Sequence, residues 1–169
     1  MKKYFISLII KISLIALMIL IDILSKVYFE NYFTSGNDSI ALIDRVLGLT
    51  YIKNTGAAFG ILGGNTILLL IFTILFLLVF VFVDFHYKSS NGWYIAGFSL
   101  MVGGAIGNMI DRLFLGYVRD FIELRFIDFP IFNFADIFLT VGVICYMVYL
   151  LFYEFRNNDK PKDITEDEE

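Results

Sequence analysis

Four apolar runs, each long enough to cross a bilayer, dominate this chain at about residues 4–28, 66–83, 93–113 and 132–153. A helical crossing takes roughly 20 apolar residues. In hydrocarbon every backbone polar group must be bonded within its own segment, so isolated runs of this kind can only be helices. With 59% hydrophobic and 18% aromatic residues and a mean hydropathy of +0.77, the chain lies outside the range of water-soluble domains. The expected fold is an all-α polytopic membrane protein: four transmembrane helices with a small extramembrane β cradle, in one domain over residues 1–156. Residues 157–169 are mostly charged and should form a disordered acidic tail. That tail supplies much of the net charge of −4, which therefore gives no sign of nucleic-acid binding.

Lys2 and Lys3 precede the first run as they would in a signal peptide, but the run continues to about Leu24 without a small-residue cleavage site. Lys11 interrupts it less than three turns from its start, where its stem can carry the ammonium back to the headgroups. Asp22 and Lys26 lie four residues apart, acid first, on one helical face. The single Cys145 and single His86 cannot build a zinc site of the usual ligands, so no metal and no cofactor is expected. Cys145 reads as a small hydrophobe inside the fourth run, and His86 as a solvated loop residue.

Between the spans, residues 33–64 and 114–130 form the expected cradle. Ile40 to Ile43 and Leu49 to Ile52 are short β-rich runs between turn formers at Ser35-Gly36-Asn37-Asp38 and Asn54-Thr55-Gly56. A further strand is expected around Tyr117 to Phe121. The loop from Asn54 to Gly60 combines a carboxamide with small residues, which suits close approach to a peptide and equally suits an ordinary turn.

The polar residues of the third run are not scattered. Gly104, Asn108, Asp111 and Arg112 fall at i, i+4, i+7 and i+8, so they share one face that must look into the protein. Gly103 and Gly107 add the spacing that lets helices approach closely. With four crossings, the far ends of spans one and three and the near end of span four meet at one membrane surface. Asp22, Asp111, Asp120 and Asp136 therefore gather there by topology alone. Six Lys or Arg on the termini's side (Lys2, Lys3, Lys88, Arg156, Lys160, Lys162) against four opposite (Arg45, Lys53, Arg119, Arg125) favour cytoplasmic termini and an outward-facing site.

The available side chains limit the chemistry. A serine triad lacks its histidine, and a Ser25–Lys26 dyad is disfavoured because helical neighbours point about 100° apart. Two carboxylates sharing one proton can act together as base and acid. In that reading Asp120 and Asp136 are the pair, with Asp22–Lys26 and Asp111–Arg112 holding the scaffold charges. Two alternatives stay open at this point: four acids engaged in purely structural ion pairs, and a small proton or ion pathway using rim carboxylates.

Over nearly all of residues 1–156 the chain resembles the lipoprotein signal peptidases, the type II signal peptidases of bacteria. The resemblance rests on Asp22-x-x-Ser25-Lys26, on Asn54 with Gly56-Ala57-Ala58-Phe59, and on Gly103-Gly104-Ala105-x-Gly107-Asn108-x-x-Asp111-Arg112. Val118-x-Asp120-Phe121 and Phe132-Asn133-x-Ala135-Asp136 complete it. It implies a four-span aspartic endopeptidase of the bacterial cytoplasmic membrane, without a cofactor, that cuts prolipoproteins before a diacylglyceryl-modified cysteine. Its partners would be those lipid-modified substrates and membrane lipid, and it would act as a monomer. Asp120 and Asp136 would be catalytic. Asn54, Asn108, Arg112 and Asn133 would position substrate or dyad, with Asp22, Lys26, Asp111, Gly104 and Ala135 as supporting positions. Ile23 and Ser25 depart from the family's usual Gln and Thr, and Ile137 from its usual Ser.

Overall fold

A computed structural model describes residues 2–56 and 63–154. Ala57, Ala58, Phe59 and Gly60, and the tail expected over 157–169, lie outside the described residues. In chain order the elements are α1 (Lys2–Thr34), β1 (Ile40–Ile43), β2 (Leu47–Asn54), α2 (Thr66–Tyr87), α3 (Gly92–Leu115), β3 (Val118–Leu124) and α4 (Phe134–Tyr149). The last helix ends in a wide π turn, Leu150–Glu154. Four helices are long and apolar enough to cross a membrane, and the three strands lie outside them, so the polytopic fold with its extramembrane sheet is as expected.

The helices differ in burial, and the difference follows from sequence. α2 is apolar all round and leaves most of its residues exposed, as lipid contact requires. α3 carries the small and polar residues and is the buried helix, packed by α1, α2 and α4. Two of its glycines are there for space. A Cβ on Gly104 would stand 2.4 Å from the Ala135 carbonyl oxygen, and one on Gly107 would stand 2.5 Å from Asp22 Oδ2. Asn91 starts α3 by accepting from the Trp93 and Tyr94 N–H groups, and Gly116 (φ 81°) ends it in the left-handed conformation.

α1 does not stop near Tyr28 but runs on to Thr34. Its 33 residues span about 50 Å, well beyond a hydrocarbon core of about 30 Å. The surplus turns serve the sheet: Glu30 accepts from Tyr51 Oη (2.7 Å) and Arg119 Nη1 (3.1 Å), and Phe29 stacks on Phe121 with centroids 4.4 Å apart. The sheet is antiparallel in the order β1-β2-β3. β2 pairs with β3 from Leu47↔Leu124 to Asn54↔Val118, with an irregularity between Leu49 and Ile52. On its other side β3 is bridged at Ile122↔Phe132, which fixes the chain just before α4.

Lys11 corrects one expectation. It does not reach for the headgroups; it is fully buried and ion-paired with Asp84 at the end of α2. Its ammonium lies 5.1–5.5 Å from the ring centroids of Tyr4, Tyr94 and Phe98. An ammonium in an apolar bundle is stable only when paired, and Asp84 was close enough in space to make pairing the better solution. His86 is exposed, as expected, but sits in the last turn of α2 and not in a loop.

Candidate active site

The end of α3, the start of α4 and the strand between them bring Asp120 and Asp136 to one cleft. Asp120 lies in the middle of β3 and Asp136 in the first turn of α4. Local sequence fixes the second of these. Asn133 is the N-cap of α4: its Oδ1 accepts from the Asp136 N–H (3.1 Å), and Asp136 Oδ2 accepts from the Asn133 N–H (3.1 Å). This reciprocal capping leaves Asp136 Oδ1 for Asn108 Nδ2, which donates to it at 2.8 Å.

Asn133 also ties the two acids together. Both protons of its Nδ2 are used, one donated to Asp120 Oδ1 (2.6 Å) and the other to Asn108 Oδ1 (3.1 Å). Asn54, from the end of β2, donates to Asp120 Oδ2 at 2.8 Å, while its own Oδ1 accepts from the Gly56 N–H at 2.9 Å. All four carboxylate oxygens thus accept a bond from an amide. Burial pushes the Asp120 carboxyl up to about 7; the Asp136 charge adds to the rise, and the bonds from Asn54 and Asn133 oppose it.

Behind the acids lies a second layer with no exposed member. Lys26 donates to Asp22 Oδ2 (2.7 Å) and Asn108 Oδ1 (2.9 Å) and lies 3.6 Å from Asp111. Because Lys26 and Asn133 both donate to Asn108 Oδ1, the Asn108 amide is oriented with its nitrogen toward Asp136. Asp22 in turn accepts from the Ala135 N–H at 3.0 Å, so α1 satisfies one of the free N–H groups at the start of α4. Gly104 makes this possible by letting the Ala135 backbone sit against α3. Ser25 Oγ donates to the Asp22 carbonyl and takes no part with Lys26.

The expected Asp111–Arg112 pairing is not what the fold builds. Asp111 takes Arg119 in a two-toothed ion pair (Nη2 to Oδ1 2.6 Å, Nε to Oδ2 3.2 Å) and also accepts the Arg119 N–H at 3.0 Å. Consecutive helical residues point apart, whereas β3 returns antiparallel to the end of α3 and delivers Arg119 directly onto Asp111. Arg112 is free to face the cleft and donates from Nη2 to the Gly56 carbonyl at 3.2 Å. Sequence reasoning missed Arg119 and Glu30 as site-building residues. The available signal was a cation directly preceding Asp120, between Val118 and Phe121 in a short strand.

The cleft has a volume of about 540 Å³ and is lined at one end by Asp120, Asp136, Asn54, Asn108 and Arg112 and elsewhere mainly by apolar side chains of α4 and the segment before it. Among the described residues no three His, Cys, Asp or Glu side chains are grouped to hold a metal ion.

Residues 14–152 match the model of the family described as Signal peptidase (SPase) II. The lipoprotein signal peptidase of Lactobacillus johnsonii is 43% identical over 136 residues, which cover 80% of this chain and 88% of that protein. The lipoprotein signal peptidase of Caldicellulosiruptor bescii is 42% identical over 124 residues, covering 73% and 79%. A bacterial membrane enzyme solved by the in meso method at 2.3 Å resolution superposes with a TM-score of 0.77 at 34% identity, over 91% of this chain and 93% of that one. A family match over most of the length, relatives at this identity and a shared fold lead to one conclusion: the chain belongs to the signal peptidase II family.

Proposed function

We propose that this membrane aspartic endopeptidase removes signal peptides from lipid-modified prolipoproteins, cutting before the diacylglyceryl-modified cysteine, with Asp120 and Asp136 as its catalytic pair. The observation that carries the residue assignment is the Asn133 side chain, bonded at once to Asp120 and to the backbone of Asp136. Two carboxyls tied to one residue, Asp120 through the Asn133 side-chain nitrogen and Asp136 through the Asn133 backbone N–H, can share a single proton in a cleft with an apolar wall. One carboxylate takes a proton from water as the water oxygen attacks the scissile carbonyl. The protonated partner hydrogen-bonds to the developing oxyanion and passes its one proton to the amine nitrogen as the C–N bond breaks, so that the pair again holds one proton, the one taken from water. Asn108, oriented by Lys26, and Asn54, held by Gly56, fix the carboxyl planes so that this transfer needs little rearrangement.

The apolar wall formed by Ile137, Leu139 and Val141 of α4 suits the leader or the acyl chains of such a precursor. The Lys and Arg distribution supports termini in the cytoplasm and a cleft facing outwards. The single-domain, monomeric reading rests on a site assembled entirely within one chain. Nothing favours a proton or ion pathway: Asp22, Asp111 and Asp84 are each engaged by a named partner and do not form a chain of free carboxyls.

The test is cleavage of a diacylglyceryl precursor beside its unmodified form, in wild type, Asp120→Asn and Asp136→Asn. Both variants should insert and fold yet give no product. Cutting by both would remove the dyad assignment, and equal cutting of both precursors by wild type would remove lipid recognition.

A further inference from the structure

The dyad cleft continues into a second, extramembrane pocket of about 460 Å³, and the two share Leu124, Phe129 and Ile131. Their characters differ. Where the cleft meets α4 it is walled by Ile137, Leu139 and Val141, whereas the second pocket brings in Ser39, Thr50, Glu123, Arg125 and Asp128 from the sheet and the segment after it. A precursor of the kind proposed above has the same gradient along its chain: an apolar leader before the cut and a water-soluble mature segment after it.

The polar pocket is built around one glycine. Arg125 is anchored by its N–H to the Val46 carbonyl (3.0 Å), by Nε to Glu123 Oε2 (2.8 Å) and by Nη2 to Ser39 Oγ (3.4 Å). Its guanidinium lies across Gly48 of β2, the residue opposite Glu123; a Cβ there would come within 2.3 Å of Arg125 Nε. Gly48 has an ordinary backbone conformation, so the absent side chain serves the guanidinium and not a turn. The result is a fixed cation paired with Glu123 in a pocket that Asp128 also lines, with a net charge of −1 for the three groups.

We propose that this pocket binds the first residues of the mature segment, those that follow the cysteine at the cut, and that its acidic balance selects neutral or basic residues over acidic ones. The proposal rests on the peptidase reading of the dyad. The guanidinium fork would bond substrate backbone carbonyls, and Glu123 and Asp128 would repel Asp or Glu on the substrate.

The experiment uses the full chain in bilayer or detergent and three lipidated precursors: one with Lys at the second and third mature positions, one with Asp there, and one ending as the cysteine amide. Wild type should cut the Lys form about fivefold faster (kcat/KM) than the Asp form, the size expected of exposed charge pairs. Asp128→Asn, which brings the three groups to a net charge of zero, should abolish that ratio, and Asp128→Lys, which brings them to +1, should invert it. Gly48→Leu displaces Arg125; it should slow both longer precursors and leave the cysteine amide unchanged. A wild type indifferent to the charge, or a Gly48→Leu variant that slows all three alike, overturns the proposal. Because the truncated precursor still reports the dyad, failure of the pocket is distinguishable from failure of the peptidase reading, in which Asp120→Asn would cut every precursor.

Discussion

Asn133 holds Asp120 from its side-chain nitrogen at 2.6 Å while its side-chain oxygen caps the helix that carries Asp136. One side chain therefore does two jobs that substitution can separate. A serine at this position still caps α4 but has no second donor for Asp120; an alanine does neither. Asn133→Ser and Asn133→Ala should both lose roughly 100-fold in cleavage, the usual loss when a preorganised donor is removed. The alanine variant should in addition be less stable than the serine variant by about 1 kcal/mol. Cleavage of a lipidated precursor and thermal unfolding in detergent, run on the same preparations, check both halves.

Asp120, raised to about 7 chiefly by burial, gives a pH dependence with a definite sign. In the proposed mechanism the shared proton leaves above that pH, so cleavage should fall on the alkaline side. The bond from Asn54 favours the charged form; Asn54→Leu removes it and should move the alkaline limb to higher pH. Stability follows the same group. Its carboxyl is raised above the unfolded value near 4, so the stabilisation is complete below about pH 4 and is lost as pH rises through about 7. Asp120→Asn should therefore gain in melting temperature relative to wild type at pH 8 more than at pH 5. A pH-independent difference would show that Asp120 titrates normally.

Much of this site was legible before any coordinates, and the reason is physical. In a membrane a polar residue is costly, so Asn108, Asp111 and Arg112 on one face of an apolar helix could only look inward. Even crossings then placed Asp120 and Asp136 at the same surface. What topology could not give was partner choice. Asp111 could be assigned to its neighbour Arg112 or to any cation arriving from elsewhere, and only the antiparallel return of β3 decides for Arg119. Lys11 was misread for the same reason, since its partner Asp84 lies 73 residues away on another helix.

Arg119 and Asp111 form the joint between the helical bundle and the strand that carries Asp120. Both are buried, so removing one takes the main partner from the other: Asp111 would keep Lys26 at 3.6 Å, and Arg119 would keep Glu30 at 3.1 Å. Arg119→Met or Asp111→Leu alone should destabilise by about 3–5 kcal/mol. Arg119→Lys keeps the charge but loses the forked geometry, and it should retain the fold with reduced cleavage. A Lys variant with full activity would mean that the joint does not set the position of Asp120.

Lys11 and Asp84 offer the cleanest separation of stability from catalysis, because they join α1 to α2 at the end of the bundle remote from the dyad. The pair is buried among Tyr4, Tyr94 and Phe98, where an unpaired charge has no water to turn to. Lys11→Met leaves Asp84 facing tyrosine hydroxyls, Tyr4 at 3.3 Å and Tyr94 beside it, and Asp84→Leu leaves the ammonium facing aromatic rings. Each single variant should lose about 3–5 kcal/mol, while the double variant Lys11→Met/Asp84→Leu, with apolar groups of similar size, should return close to wild type. Unfolding of all four proteins in detergent closes the double-mutant cycle, and the coupling it yields should be large and favourable. Cleavage per folded molecule should stay at the wild-type level throughout, since no bond from this pair reaches Asn108, Asn133, Asp120 or Asp136; a double variant that is stable but inactive would show that the two ends of the bundle communicate.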